Sequence, residues 1–176
     1  MVEKVSRHIL QHAQQLAREI AARAVVVYAD VILGNDDLRQ LLQAVDFPTI
    51  LVTRSRDVVP PGFESRVWVT VPNVHMTRAG QVKAALLVCL ARGVLQKGDR
   101  VVCLTGADSS RALDALLVVH LGSEPELFSL LGPFAFSGDL APAVFERVLT
   151  LATQLAVEGR EGRAAVSKRE KRRPGG

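Results

Sequence analysis

The stretch that decides the fold is AVVVYADV, residues 24–31. A continuous apolar, β-branched run has neither the 3.6-residue rhythm of a surface helix nor the alternation of a half-buried strand. It reads as a strand buried on both faces, the kind found in parallel sheets covered by helices. Working outward, TILVT at 49–53, RVWVTV at 66–71 and RVVCLT at 100–105 read as further strands, with ALLVVHL at 115–121 as a fifth. Helical patterns separate most of them. Residues 2–21 carry Val2, Val5, Ile9, Leu16 and Ile20 at helical spacing. Gly34-Asn35-Asp36 supplies a turn and cap before a short helix over 38–45, and Thr77 caps a nearly all-apolar helix to Arg92, with Gly93 as its stop. Strands alternating with helices predict a three-layer α/β/α domain with a largely parallel sheet. The 106–114 connection is too short for a parallel crossover, so the fifth strand is expected antiparallel at an edge. A Gly/Ser/Pro-rich stretch over 123–141 then leads to a helix capped by Asp139, with Val144, Val148, Leu151 and Leu155 as its apolar stripe. The organisation expected is a domain over 1–138, a helical segment over 139–166 and a basic, disordered tail over 167–176.

Bulk composition narrows the functional classes. The chain has 176 residues, of which 48% are apolar and 5% aromatic, enough for a core of Val, Leu, Ala and Ile. Its net charge of +4 resides in the last ten residues, which hold five Lys/Arg and one Glu; the other 166 hold 17 of each sign. A neutral body with a basic tail is not the footprint of a specific nucleic-acid binder. No apolar run is long enough to span a bilayer and no secretion signal is evident, so a cytoplasmic location is expected. Cys89 and Cys103 lie in apolar runs and read as buried, reduced thiols. His8 and His12 are four residues apart but lack a third ligand, and read as a solvated helix face. His75 and His120 stand alone in sequence. No metal or cofactor motif is present.

In a parallel sheet, ligands gather at the carboxyl ends of the strands. The segments there hold Thr53, Arg54, Ser55 and Arg56 after the second strand, Thr77 and Arg78 at a helix start, and Thr105, Gly106, Ser109, Ser110 and Arg111 after the fourth. Arginines with hydroxyls beside a helix N-terminus suit a phosphate or another anion. Asp36 and Asp37, at the start of the neighbouring helix, would repel one. These groups therefore read either as an anion site or as loop and subunit-contact surface.

Two resemblances follow from specific strings. AVVVYADV, TILVTRS and ARGVLQKGDRVVCLTG resemble the strand pattern of the C-terminal domain of pyruvate kinase. That implies a five-stranded sheet of order 3-2-1-4-5 with the last strand antiparallel, and no catalytic residue. VFERVLTLATQLAVEGREGRAAV resembles the entry to the diadenylate cyclase domain shared with the DNA integrity scanning protein, with Glu158, Gly159, Arg160, Glu161 and Gly162 as the signature. An intact family member would condense two ATP molecules to cyclic di-AMP with a divalent metal. Its Asp-Gly-Ala and Arg-His-Arg motifs are absent from this sequence. The resemblance implies a non-catalytic regulatory or oligomerisation module, with the cyclase domain truncated at its start. Its partners would be a second copy or a cyclase domain, met through the helix over 139–160. Alternatives are a standalone sensor of a phosphorylated small molecule, or a partner subunit of a separate cyclase.

Overall fold

The computed structural model describes residues 2–55, 59–74, 76–106, 112–123, 143–144, 146–152, 154–155 and 159. Helix α1 spans Val2–Glu19, strand β1 Ala24–Tyr28, helix α2 Asp36–Gln43, strand β2 Thr49–Thr53 and strand β3 Val67–Thr70. Helix α3 spans Arg78–Ala91, strand β4 Arg100–Thr105 and strand β5 Ala115–His120. The described residues between 143 and 155 are helical and are called the distal helical segment below.

The sheet has the order β3-β2-β1-β4-β5. β1, β2, β3 and β4 are mutually parallel; β5 runs antiparallel beside β4, pairing Val101 with Val119 and Cys103 with Leu117. The apolar run of β1 lies at the centre because both its faces are covered. Val26 and Tyr28 point to the α3 side, with Ile50, Val52, Leu86, Val88 and Cys103. Val25 and Val27 point to the other side, with Leu51, Leu104, Leu10, Leu38, Leu42 and Phe63. A strand with apolar side chains at every position therefore feeds two cores at once.

Three local readings change. The apolar run over 24–31 is not strand throughout. It leaves the sheet after Tyr28, and Ala29–Val31 form a 3₁₀ turn. The turn brings the Asp30 carboxylate against Thr53 and Arg54 of the next strand end. Along α1 the expected Ile9 and Leu16, with Ile20 just past its end, pack against the core while partly buried. The fully buried described positions are Ser6, Leu10, Ala13 and Ala17, and Val5 is exposed. The small Ala13 and Ala17 lie on the face turned to the protein. Ser6 Oγ accepts from the Leu113 amide at 3.0 Å, tying the helix to the approach to β5. In α2 the helix starts earlier than the apolar pattern suggests, because the Asn35 side chain accepts from the Leu38 amide at 3.0 Å. Thr77 caps α3 as its sequence indicates, accepting from the Gly80 amide.

A candidate ligand cleft at the carboxyl edge

The parallel strands bring Asp30, Thr53, Arg54 and Ser55 together at one edge. Asp30 is the hub. Its carboxylate accepts from Thr53 Oγ1 at 2.6 Å, the Arg54 amide at 2.9 Å and Arg54 Nε at 3.2 Å. Both charged side chains are mostly buried, at 22% exposure for Arg54 and 19% for Asp30. The Ser55 amide donates to Thr53 Oγ1 at 3.1 Å. Two backbone-linked strand ends are thereby locked by one carboxylate.

On the α3 side of the edge, Tyr28 Oη donates to the Gln81 carbonyl at 3.0 Å and Thr105 Oγ1 bonds the Gln81 side-chain oxygen. Gln81 and Thr105 are buried. At the start of α3, Arg78 meets Asp114 through Nε at 2.8 Å and Nη2 at 2.5 Å. These hydrogen bonds, reinforced by the charge of Asp114, raise the guanidinium pKa further. Gly106 sits where a Cβ would overlap the carbonyl oxygen of Ala112, so the chain can pass there only without a side chain.

Of the expected anion-binding set, Thr53, Arg54 and Ser55 form one cluster, while Thr77, Arg78, Thr105 and Gly106 flank the start of α3. Arg56, Ser109, Ser110 and Arg111 lie outside the described residues, as does His75. Each described arginine of the set already faces a carboxylate: Arg54 faces Asp30 and Arg78 faces Asp114. Asp36 and Asp37 are engaged too, with Arg39 and Arg7.

Beside the Asp30 cluster lies a half-open cleft of about 360 Å³. One wall is the carboxyl edge, with Arg54, Thr70, Pro72 and Asn73, backed by Val88 of α3. The other wall is the distal helical segment, with Glu146, Arg147, Leu149 and Thr150. That segment is held by Arg92 Nε, which donates to Glu146 Oε1 at 2.6 Å, and by Leu149 packed on the α3-side core. Arg92 also donates to the Trp68 carbonyl at 3.0 Å, linking the segment to β3. Sequence reasoning missed Thr70, Arg147 and Leu149 as site residues. The signal available was that positions 146, 149 and 150 fall off the apolar stripe, on a second face of the helix.

The stripe itself turns outward. Val144, Val148, Leu151 and Leu155 are 50%, 54%, 46% and 67% exposed. Gly159 is helical; Glu158, Arg160, Glu161 and Gly162 lie outside the described residues, as does Asp139.

Cys89 and Cys103 are buried, as expected. Burial pushes the Cys89 thiol pKa up to about 12 and that of Cys103 higher still. Among the described residues, no cluster of three or more His, Cys, Asp or Glu could hold a metal ion, and no helix is long and apolar enough to cross a membrane. His8 and His12 lie with ring centroids 6.4 Å apart, and His120 Nδ1 is 2.8 Å from Ser123 Oγ.

Residues 6–128 match the family model described as "Probable sensor domain DacZ_P". No curated protein matches the chain. Among solved structures, a pyruvate kinase from Cryptosporidium parvum is similar at 14% identity and a TM-score of 0.51. That likeness covers 66% of this chain and 23% of the other. A second Cryptosporidium parvum pyruvate kinase structure gives 13% identity and a TM-score of 0.49, over 66% of this chain and 22% of the other. The chain thus spans under a quarter of the length of these enzymes. At this identity the first likeness concerns the fold.

Proposed function

The chain belongs to the DacZ_P family of probable sensor domains, and we propose that it is the non-catalytic regulatory and oligomerisation module of a diadenylate cyclase family protein. The observation that carries this reading is the two-faced distal helical segment. One face is pinned to the domain by Arg92–Glu146 and Leu149. The other presents Val144, Val148, Leu151 and Leu155 outward. A helix that is docked on one side and apolar on the other is suited to relay the state of the domain to whatever covers the second side. The resemblance of residues 144–166 to a cyclase entry supports a cyclase domain or a second copy of this chain as the cover.

On this reading the chain itself makes no cyclic di-AMP, because the sequence holds neither Asp-Gly-Ala nor Arg-His-Arg. Incubating the pure protein with ATP and Mg²⁺ or Mn²⁺ is expected to yield no cyclic di-AMP, and metal-dependent product would refute the non-catalytic assignment. The assembly role is tested by solution mass against concentration, alone and with a diadenylate cyclase domain. A monomer at every concentration, with no capture of the cyclase domain, would remove it.

The second reading, a sensor of a phosphorylated small molecule, is favoured by the polar carboxyl edge. Its expected cationic groups are Arg54 and Arg111, and unchanged phosphate-ester binding in the Arg54→Ala/Arg111→Ala double variant would exclude them.

A further inference from the structure

We infer that the cleft between the carboxyl edge and the distal helical segment binds a small organic anion, and that the bound anion clamps the segment onto the domain. This rests on the regulatory reading above and assigns it a ligand site.

Charge pairing among the described residues of the cleft leaves one cation over. Arg54 is matched by Asp30, and Glu146 is matched by Arg92. Arg147 makes no hydrogen bond or ion pair among the described residues, so one positive charge is left at the mouth. The side chains of Thr70 and Asn73, on the opposite wall, likewise have no hydrogen-bonding partner among the described residues. An anionic oxygen cluster between Asn73 and Arg147 would receive an amide N–H and a forked guanidinium. Val88 and Leu149 offer an apolar floor for the rest of the molecule. The volume of about 360 Å³ lies at the small end of the range for ligand sites, about 300–1,000 Å³. A compact phosphate ester or carboxylate with an apolar body fits these features.

A second cavity lies at the opposite edge, where Arg23 stands exposed at the rim. Its Arg66 is spent on the backbone, donating to the carbonyls of Gln43, Val45 and Phe47. Its walls also come from the domain alone. The carboxyl-edge cleft differs in drawing one wall from the sheet edge and the other from the distal helical segment, which among the described residues meets the domain through Arg92–Glu146 and Leu149. A ligand touching both walls binds the docked arrangement more tightly than the undocked one, and stabilises it by that difference.

The test uses the whole chain with phenyl phosphate, glycerol 3-phosphate and benzoate as probes and phenol as the neutral control. At least one anion is expected to bind by calorimetry and to slow amide exchange over residues 146–152. Preference for the phosphate esters or for benzoate identifies the anion class. Arg147→Ala should weaken that binding roughly tenfold, the usual loss for a charge-assisted hydrogen bond, and Asn73→Ala should weaken it less. Both side chains are exposed, so neither change threatens folding. Binding of phenol as tight as of any anion, no binding by any of the three, or unchanged affinity in both variants would overturn the site. Failure here, with assembly still dependent on the outward stripe, leaves the regulatory reading standing. Anion binding with no stripe-dependent assembly does the reverse.

Discussion

Helix α3 and the distal helical segment are both rich in aliphatic residues, yet they are used in opposite ways. In α3, Val82, Ala84, Ala85, Leu86, Leu87, Val88 and Cys89 are all buried, so the helix is covered nearly all round. Among its described residues, the distal segment packs Leu149 against the core and directs four aliphatic side chains to solvent. Apolar content alone thus does not make a helix part of a core. α3 packs its aliphatic side chains into the core on the sheet side, which Leu149 of the distal segment also joins. The distal segment has one partner face within the described residues, and its other face is a surface.

The sharpest way to break this contrast is to damage α3. Leu86 is fully buried in the α3-side core. Leu86→Ala should cost about 2–5 kcal/mol of unfolding free energy, the range for a buried leucine that leaves a cavity. Denaturant titration is expected to show a lower midpoint with an unchanged slope. A loss under about 1 kcal/mol would mean that α3 is not the pillar its burial implies.

Next in size is the carboxyl end of β4. Gly106→Ala drives a methyl group into the Ala112 carbonyl oxygen. The backbone has to shift, at a cost of about 1–3 kcal/mol, typical of overpacking. Thermal unfolding checks the magnitude. A melting temperature equal to that of the parent would show that the approach to β5 yields freely.

Much of this was legible in the sequence, for a physical reason. Buried parallel strands need apolar side chains on both faces, so β1, β2 and β4 announce themselves as unbroken runs. The short link before Ala115 dictates the antiparallel edge. Thr77 and Gly93 mark the ends of α3 because caps are local chemistry. The parts that were hidden depend on contacts distant in sequence. Nothing local says that the run over 24–31 must leave the sheet after Tyr28; the reason is Asp30 reaching Thr53 and Arg54, more than twenty residues on. Nor could the sequence reveal that Arg54 and Arg78 are answered by Asp30 and Asp114. The strand-end arginines were identifiable as a group, but their neutralisation was not. The cleft was hidden because half of it comes from residues 143–150, whose stripe drew attention to the outward face.

A smaller effect is expected at the hinge between the two helices. Arg92→Ala removes the donor to Glu146, whose side chain is only 11% exposed, and to the Trp68 carbonyl. The pair is partly solvated, with Arg92 at 30% exposure, so about 1 kcal/mol is expected. That loss should be local. Amide exchange over residues 146–152 is expected to speed up while the global unfolding midpoint hardly moves, as for a sub-global opening. If the midpoint falls as far as in Leu86→Ala, the distal segment is an integral part of the fold, and the contrast with α3 disappears.

The smallest effect on stability should accompany the largest effect on assembly. Val148→Ser with Leu151→Ser alters two side chains that are 54% and 46% exposed. Removing apolar surface that is already in water costs the monomer little, within about 0.5 kcal/mol, the usual range for surface substitutions. If the stripe is covered by a second copy or by a cyclase domain, the same changes place two hydroxyls in an apolar contact. Each lost aliphatic side chain then forfeits burial worth about 1.5–3 kcal/mol, so a micromolar association weakens at least about a hundredfold. Sedimentation of parent and variant over a concentration series reads this directly, with thermal unfolding as the control. An unchanged melting curve with lost association identifies the stripe as an interface. A parent that never associates, with itself or with the cyclase domain, would leave the outward leucines without the role that their exposure suggests. A variant that melts well below the parent would show instead that the stripe is packed in solution, and that the two helices differ less than their burial implies.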